Sequence, residues 1–377
     1  MIRRSRPRSI KSKEEDLKWM SHALALAAKG GVFVSPNPQV GACVVKAGRL
    51  VSSGFHARFG GPHAEVEALR KAGAKARGAT LYVTLEPCSS WGKTPPCTEA
   101  ILRSGVSRVV IAMTDPNPVN RGKGALLLRG SGIAVTDGVL CGAAEHQNEA
   151  FSKWIKTGLP FVTLKMAQSL DGKIASFNGR SRWISGPESR GFVHGLRQQN
   201  DAVLVGKKTW MLDDPLLSAD PAGTPSLREK PWRVVIDPAM EILPRRRVFE
   251  GNQITIQAVS CKCRKNLSKN MFLKETRNIL FVKEKKGRLD LRDLLKQLGS
   301  LGVSRLLVEG GGETAWSLLS AHLVDKVFWL LAPKFIGGRD AVTSVEGDGY
   351  QDPNNALNLK SLSCRQMGSD WLFEGRV

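Results

Sequence analysis

The sequence has no apolar run near the roughly 20 residues that cross a bilayer, which excludes a helical membrane protein. Its opening, MIRRSRPRSIKSKEEDLKW, is basic and lacks the apolar segment of a secretory leader, so a cytoplasmic chain is expected. Heptads and a clear internal repeat are absent, as is low complexity beyond that opening, which excludes coiled coils and repeat solenoids. Acidic residues are scarce: 34 Asp and Glu face 56 Lys and Arg, a net charge of +22. Such a balance favours anionic partners, whether phosphorylated metabolites, dinucleotides or nucleic acid. Part of the excess crowds into Arg3, Arg4, Arg6, Arg8, Lys11 and Lys13, read as a solvated, disordered arm over residues 1–15. A nucleic-acid arm would carry the same charge. Seven cysteines without an export signal point to thiols and metal ligands more than to disulfides.

At 377 residues and 42% hydrophobic content, the chain exceeds one comfortable core and predicts two domains. From Asp16, DLKWMSHALALAAKG has helical spacing and ends at a glycine pair. VGACVVKAGRLVSSGFH reads as two strands about a tight turn at Lys46–Arg49. HAEVEALRKAGAKA, TLYVTL, CTEAILRSG and RVVIAM then alternate helix and strand, which implies an α/β sandwich over 16–142. Residues 143–160 read as a linker helix stopped at Pro160. A second alternating series fills 161–377, with strands expected at FVTLKMA, AVLVG, RVVIDP, ITIQAV, ILFVK, RLLVEGGG and KVFWLLAPK.

Two stretches carry the chemistry: HAEVEAL from His63 and TLEPCSSWGKTPPC from Thr84. Thiolates and neutral imidazole are good zinc donors, and catalytic zinc usually has three protein ligands plus a water. His63, Cys88 and Cys97 supply three. Cys97 opens a predicted helix, whose N-terminus favours the thiolate. Glu65 lies in a first turn, where side chains lean toward the helix start and reach the same point. Zinc brings the pKa of its water toward roughly 7, and a neighbouring carboxylate can carry the proton to a leaving amine. His-x-Glu followed by Pro-Cys…Cys is the general zinc-deaminase signature. The alternatives are a His63 that caps a helix beside buried thiols, and a structural zinc, which would need a fourth ligand.

The chain at these residues resembles the bifunctional deaminase/reductase of riboflavin biosynthesis. Nucleic-acid and nucleoside deaminases carry two residues between the cysteines, whereas CSSWGKTPPC carries eight, as that family does. PNPQVGA, GFHARFGGPHAE, TLEPCS and DPNP (Asp115–Pro118) match as well. So do LKMAQSLDGKIA, SRWISG, LRQQNDAVLVGKKTWMLDDPLL and VEGGGETAWSLL in the second half. The resemblance implies a cytidine-deaminase-like three-layer α/β/α domain followed by a dihydrofolate-reductase-like α/β domain. It implies hydrolytic deamination of a diaminopyrimidinone ribosyl phosphate with one Zn2+, then reduction of the ribosyl group to ribityl by NADPH. By the same resemblance, Asn37, His56 and Lys93 line the deaminase substrate site. Ala167, Trp183, Thr209, Asp213, Gly310, Gly311 and Gly312 border the cofactor. Lys165, Ser181, Arg197, Leu217 and Glu309 border the ribosyl phosphate. For Trp183 and Leu217 plain core packing competes. A homo-oligomer is expected, with no specific nucleic acid and no membrane.

Two positions depart from the family. Ser90 stands where histidine is usual, and a serine donates a hydrogen bond but carries no positive charge. Asp220 stands where an arginine would grip the phosphate, so Arg182, Arg197 or Arg228 must substitute or the reductase half is weakened. Two rivals follow: a deaminase with a degenerate reductase domain, and a nucleic-acid-binding or editing protein, which lacks an RNA-binding aromatic motif. CKC at Cys261–Cys263 reads as exposed thiols, with a metal pair as the alternative.

Overall fold

The structure is a computed structural model that describes residues 10–91, 95–219, 231–241, 246–264 and 278–377. Lys93, Asp220 and Arg228 lie outside the described residues. The chain divides into two compact units, Met1–Thr157 and Gly158–Val377.

The first unit runs α1 (Ile10–Ala28), β1 (Gly41–Lys46), β2 (Arg49–Phe55), α2 (Ala64–Ala72), β3 (Thr80–Leu85), α3 (Cys97–Ser104) and β4 (Arg108–Met113). It continues with α4 (Lys123–Gly130), β5 (Ala134–Thr136), α5 (Cys141–Gln147) and α6 (Glu149–Thr157). Its sheet has the order β2-β1-β3-β4-β5, with β1 antiparallel to both neighbours and β3, β4 and β5 parallel. Ala42 pairs with Gly54, so Gly41 faces the opposite side of the sheet from both. A Cβ on Gly41 would lie 2.0 Å from the Ala23 carbonyl of α1, and one on Gly54 2.6 Å from the Ala64 carbonyl of α2. The two helices therefore cover opposite faces, which makes three layers. Tyr82, Leu81, Ile101, Ile111 and Leu128 fill the core between them.

Two expectations are corrected here. α1 starts at Ile10, not Asp16, because IKSKEE continues the helical repeat with good helix formers. Residues 143–160 are not a separate linker helix: α5 and α6 belong to the first unit up to Thr157, and Gln147 Nε2 donates to the Leu24 carbonyl of α1 at 3.2 Å.

The second unit contains β6 (Phe161–Ser169), α7 (Pro187–Gln198), β7 (Ala202–Val205), α8 (Lys207–Asp213), β8 (Trp232–Ile236), β9 (Thr255–Ser260) and β10 (Asn278–Val282). Then come β11 (Glu284–Lys285), β12 (Arg288–Leu289), α9 (Leu291–Ser300), β13 (Arg305–Glu309), α10 (Gly312–Ser320), β14 (Lys326–Ala332), β15 (Lys360–Met367) and β16 (Asp370–Arg376). Nine strands form one sheet, β10-β9-β8-β7-β13-β6-β14-β16-β15, parallel from β10 to β14 and closed by an antiparallel pair. Alternate residues feed two cores. Leu204, Leu306 and Val308 pack with Leu294 and Leu298 of α9 and Leu318 of α10, while Val203, Val205 and Leu307 pack with Leu196 of α7 and Trp210 of α8. Both faces of the central parallel strands β7 and β13 are thus buried, as their apolar runs require.

Candidate active sites

The strand-to-helix turns β2–α2 and β3–α3 bring the first site together. His63 sits just before α2 and makes no side-chain cap bond, which removes the helix-cap reading. Its Nδ1 lies 3.0 Å from Cys97 Sγ and 3.8 Å from Cys88 Sγ, and the backbone N–H of Cys97 donates to Cys88 Sγ at 3.2 Å. One ligand atom from each residue falls within 4.8 Å of the others, and no fourth metal-ligating residue joins them among the described residues. Three donors of imidazole and thiol chemistry fit zinc with one coordination position left for water. A side-chain hydrogen bond from the Cys97 thiol holds the Cys88 thiol down to about 4, despite burial. That same bond and burial push the Cys97 thiol well above its ordinary value. A bound zinc would take both sulfurs as thiolates.

Glu65, in the first turn of α2, is buried and lines a cavity of about 330 Å³ with His63, Cys88, Asn37 and His56. Burial raises its carboxyl above the usual glutamate range, although the His63 charge opposes this. His56 Nδ1 donates to the Pro62 carbonyl at 2.9 Å, since that oxygen can only accept. Its Nε2 then accepts from Asn37 Nδ2 at 3.1 Å. Burial lowers the His56 pKa, in keeping with a neutral ring. Asn37 uses an amide N–H on His56 and keeps Oδ1 for a ligand donor.

The sequence reading assigned no role to four residues of this cavity. Asp115, Asn117 and Asn120 line it from the turn after β4, with Glu86 behind them. Glu86 is buried and accepts from the backbone of Asp115 (3.1 Å), Gly122 (2.9 Å) and Ala125 (3.0 Å), fixing that turn to the start of α4. Asp115 accepts from Asn117 N at 2.9 Å and from Asn120 Nδ2 at 3.1 Å. Ser90, the departure, donates to Asn120 Oδ1 at 2.6 Å. Glu86 falls in EPC and Asp115 and Asn117 in DPNP, Asn120 lies outside both, and only the fold shows that they meet.

In the second unit, Thr209, Asp213, Gly311 and Gly312 line one cavity of about 420 Å³, and Ser181 lines it with them. Ser181 Oγ donates to Asp213 Oδ1 at 2.6 Å. Gly310 and Ala167 lie outside that lining, Ala167 against the apolar core. Trp183 is 67% exposed with the Arg190 guanidinium 4.7 Å from its ring centroid, so it is not core. Leu217 is buried among Val193, Leu196 and Phe328, where the packing reading holds. Lys165, Arg197 and Glu309 form a separate ionic group: Glu309 meets Arg197 at 2.5 and 2.9 Å and Lys165 at 3.8 Å. Arg197 also donates to the Ser218 carbonyl at 2.8 Å. Of the CKC pair, Cys261 is exposed, but Cys263 is buried against the Pro238 carbonyl at 3.3 Å, which corrects the expectation for it. All seven cysteines are unpaired.

No helix among the described residues is long and apolar enough to cross a membrane. Residues 13–113 match the cytidine and deoxycytidylate deaminase zinc-binding region, and residues 160–373 match the RibD C-terminal domain. The riboflavin biosynthesis protein RibD of Aquifex aeolicus is 40% identical over 95% of this chain and 97% of its own. That of Escherichia coli K12 is 40% identical over 94% and 98%. Among solved structures, Acinetobacter baumannii RibD superposes with a TM-score of 0.87 at 33% identity, over 97% of this chain and 99% of that one. The diaminohydroxyphosphoribosylaminopyrimidine deaminase/5-amino-6-(5-phosphoribosylamino)uracil reductase of Thermotoga maritima gives 0.82 at 36%, with the same coverage. These matches favour neither a chain with a degenerate reductase nor a nucleic-acid-binding protein. With a zinc-binding deaminase domain and an NADPH-dependent reductase domain in one chain, this protein belongs to the RibD family of bifunctional riboflavin-biosynthesis enzymes.

Proposed function

We propose that His63, Cys88 and Cys97 hold the zinc and that Glu65 moves the proton in deamination of the diaminopyrimidinone ribosyl phosphate. Zinc at that position supplies a water activated at neutral pH. Glu65 would take a proton from the attacking water, whose oxygen bonds to the ring carbon bearing the exocyclic amine. It would pass that proton to the amine as the C–N bond breaks and ammonia leaves. Asn37 reads an N–H of the ring edge through Oδ1, and His56 holds Asn37 in that orientation. Lys93, outside the described residues, is assigned to the phosphate on the resemblance alone. The carrying observation is that His63, Cys88, a buried carboxylate and the Asn37–His56 pair line one cavity, with the Cys97 sulfur 3.0 Å from His63 Nδ1.

In the second unit NADPH supplies hydride. Thr209, Asp213 and the Gly310–Gly312 turn are assigned to the cofactor, with Ala167 and Trp183 bordering it. Backbone N–H groups at the start of α10 suit its phosphates. Ser181, Lys165, Arg197 and Glu309 are assigned to the ribosyl phosphate, with Leu217 as packing beside Leu196 of α7. The reading extends to a cytoplasmic homo-oligomer. Phe177 and Phe335, both exposed on the second unit, support self-association, and sedimentation tests it. One sample fed the diaminopyrimidinone ribosyl phosphate and NADPH should release ammonia and consume NADPH in equal amounts. A chain that holds zinc but releases no ammonia contradicts the first assignment.

A further inference from the structure

Phe151, Trp154 and Ile155 of α6 line the same cavity as His63 and Glu65. Their spacing, i, i+3 and i+4, places them on one helix face. Phe151 is buried and anchors the helix, whereas Trp154 and Ile155 are half-buried at the cavity wall. Much of the remaining lining is polar: Asn37, His56, Glu65, Asp115 and Asn117 supply amides, an imidazole and carboxyls.

α6 is also tied to the loop that carries Asn37. Asn148, fully buried just before the helix, accepts from Gln39 N at 2.8 Å and donates to the Gln39 carbonyl at 3.0 Å. The Asn148 carbonyl accepts from Ser152 N at 2.8 Å, within the first turn of α6. One side chain thus fixes a polar element and an apolar element of the cavity together. A pyrimidine needs that pairing, because its edge is polar and its faces are flat π surfaces best covered by an aromatic ring.

We propose that the Trp154 indole, flanked by Phe151 and Ile155, is the surface on which the substrate's pyrimidine ring lies, so that α6 is a specificity element of the deamination site. This rests on the reading that the cavity takes a pyrimidine. Loss of one base–aromatic stack in Trp154→Ala should raise KM for the diaminopyrimidinone ribosyl phosphate about tenfold, with kcat changed less than about threefold. Trp154→Phe should stay near the parent KM, and Trp154→Leu should resemble the alanine variant. NADPH oxidation with deaminated substrate, a property of the second unit, should be unchanged in all three and reports an intact chain. An unchanged KM in Trp154→Ala overturns the proposal. So do equal losses in the phenylalanine and leucine variants, which would mean that indole shape matters and a flat ring does not. If the alanine variant fails to fold, the phenylalanine–leucine pair decides.

Binding is read separately in Glu65→Gln, which should hold the substrate without turning it over. Titration should quench tryptophan emission, and adding Trp154→Phe should remove the quench. If the parent chain releases no ammonia, the functional reading falls, yet this titration still decides the wall. A quench lost with Trp154 sustains it; a quench that persists, or none in either chain, overturns it.

Discussion

The two units assemble their chemistry in different ways. In the first, the residues assigned to the metal and to proton transfer come from two short stretches, His63–Glu65 and Cys88–Cys97, each at a strand-to-helix turn. In the second, the assigned groups are scattered from Lys165 to Gly312, over β6, the loop before α7, α7 itself, α8 and the β13–α10 turn. A compact site depends on turn geometry, and its failure is local. A dispersed site depends on the register of a whole sheet and on buried ion pairs, so damage there shows first as instability.

The largest test of that contrast removes a sulfur. Cys88→Ser should lose zinc and more than about 100-fold of ammonia release, because no activated water remains. NADPH oxidation with deaminated substrate should be untouched. A joint loss would break the contrast.

Glu309→Gln should act in the opposite sense. It leaves Arg197 and Lys165 buried without their counter-charge, which typically costs about 3–5 kcal/mol. Melting of the second unit and NADPH oxidation should both fall, with zinc content retained. Burial alone would raise the Glu309 carboxyl, but Arg197 and Lys165 hold it down to about 2 against an ordinary 4.5. A depressed folded pKa stabilises above the ordinary value and is lost as pH falls from 4.5 toward 2. Thermal melts across that window should show a loss in the parent chain and a flatter profile in Glu309→Gln.

A matched pair of glycine substitutions sharpens the comparison. A Cβ on Gly124 would lie 2.0 Å from the Pro87 carbonyl, and one on Gly312 2.5 Å from the Thr343 carbonyl. Overpacking of this kind costs about 1–3 kcal/mol. Gly124→Ala should weaken zinc retention, because Pro87 precedes Cys88, whereas Gly312→Ala should weaken NADPH binding. Zinc analysis and cofactor titration of both variants check this. The smallest effect is expected from Ser90→Ala. One hydrogen bond to Asn120 is worth about 0.5–1.5 kcal/mol, so deaminase KM should rise roughly two- to tenfold at constant kcat.

The clustering of His63, Cys88 and Cys97 beside Glu65 was legible in the sequence because their residue types and spacing suit one metal site. The turn at Lys46–Arg49 and the buried strands of both sheets were legible from apolar patterning. β15 was not, because every residue up to Gln366 is exposed and no alternation marks it. β5 is only three residues long. Glu86 and Asn148 were missed for another reason. Each satisfies the backbone of a segment distant in sequence, and no local pattern announces such a partner. α6 read as a connector because its apolar face shows periodicity but not what lies opposite. The reductase residues were reached through the family resemblance, since their spacing alone is weak.

The most direct measurement is Glu65→Gln assayed for zinc, ammonia release and NADPH oxidation on one preparation. A carboxylate that carries the proton predicts full zinc occupancy and ammonia release lowered by about 100- to 10,000-fold. Reduction of supplied deaminated substrate should continue at the parent rate. Ammonia release at the parent rate from a zinc-loaded Glu65→Gln chain would contradict it.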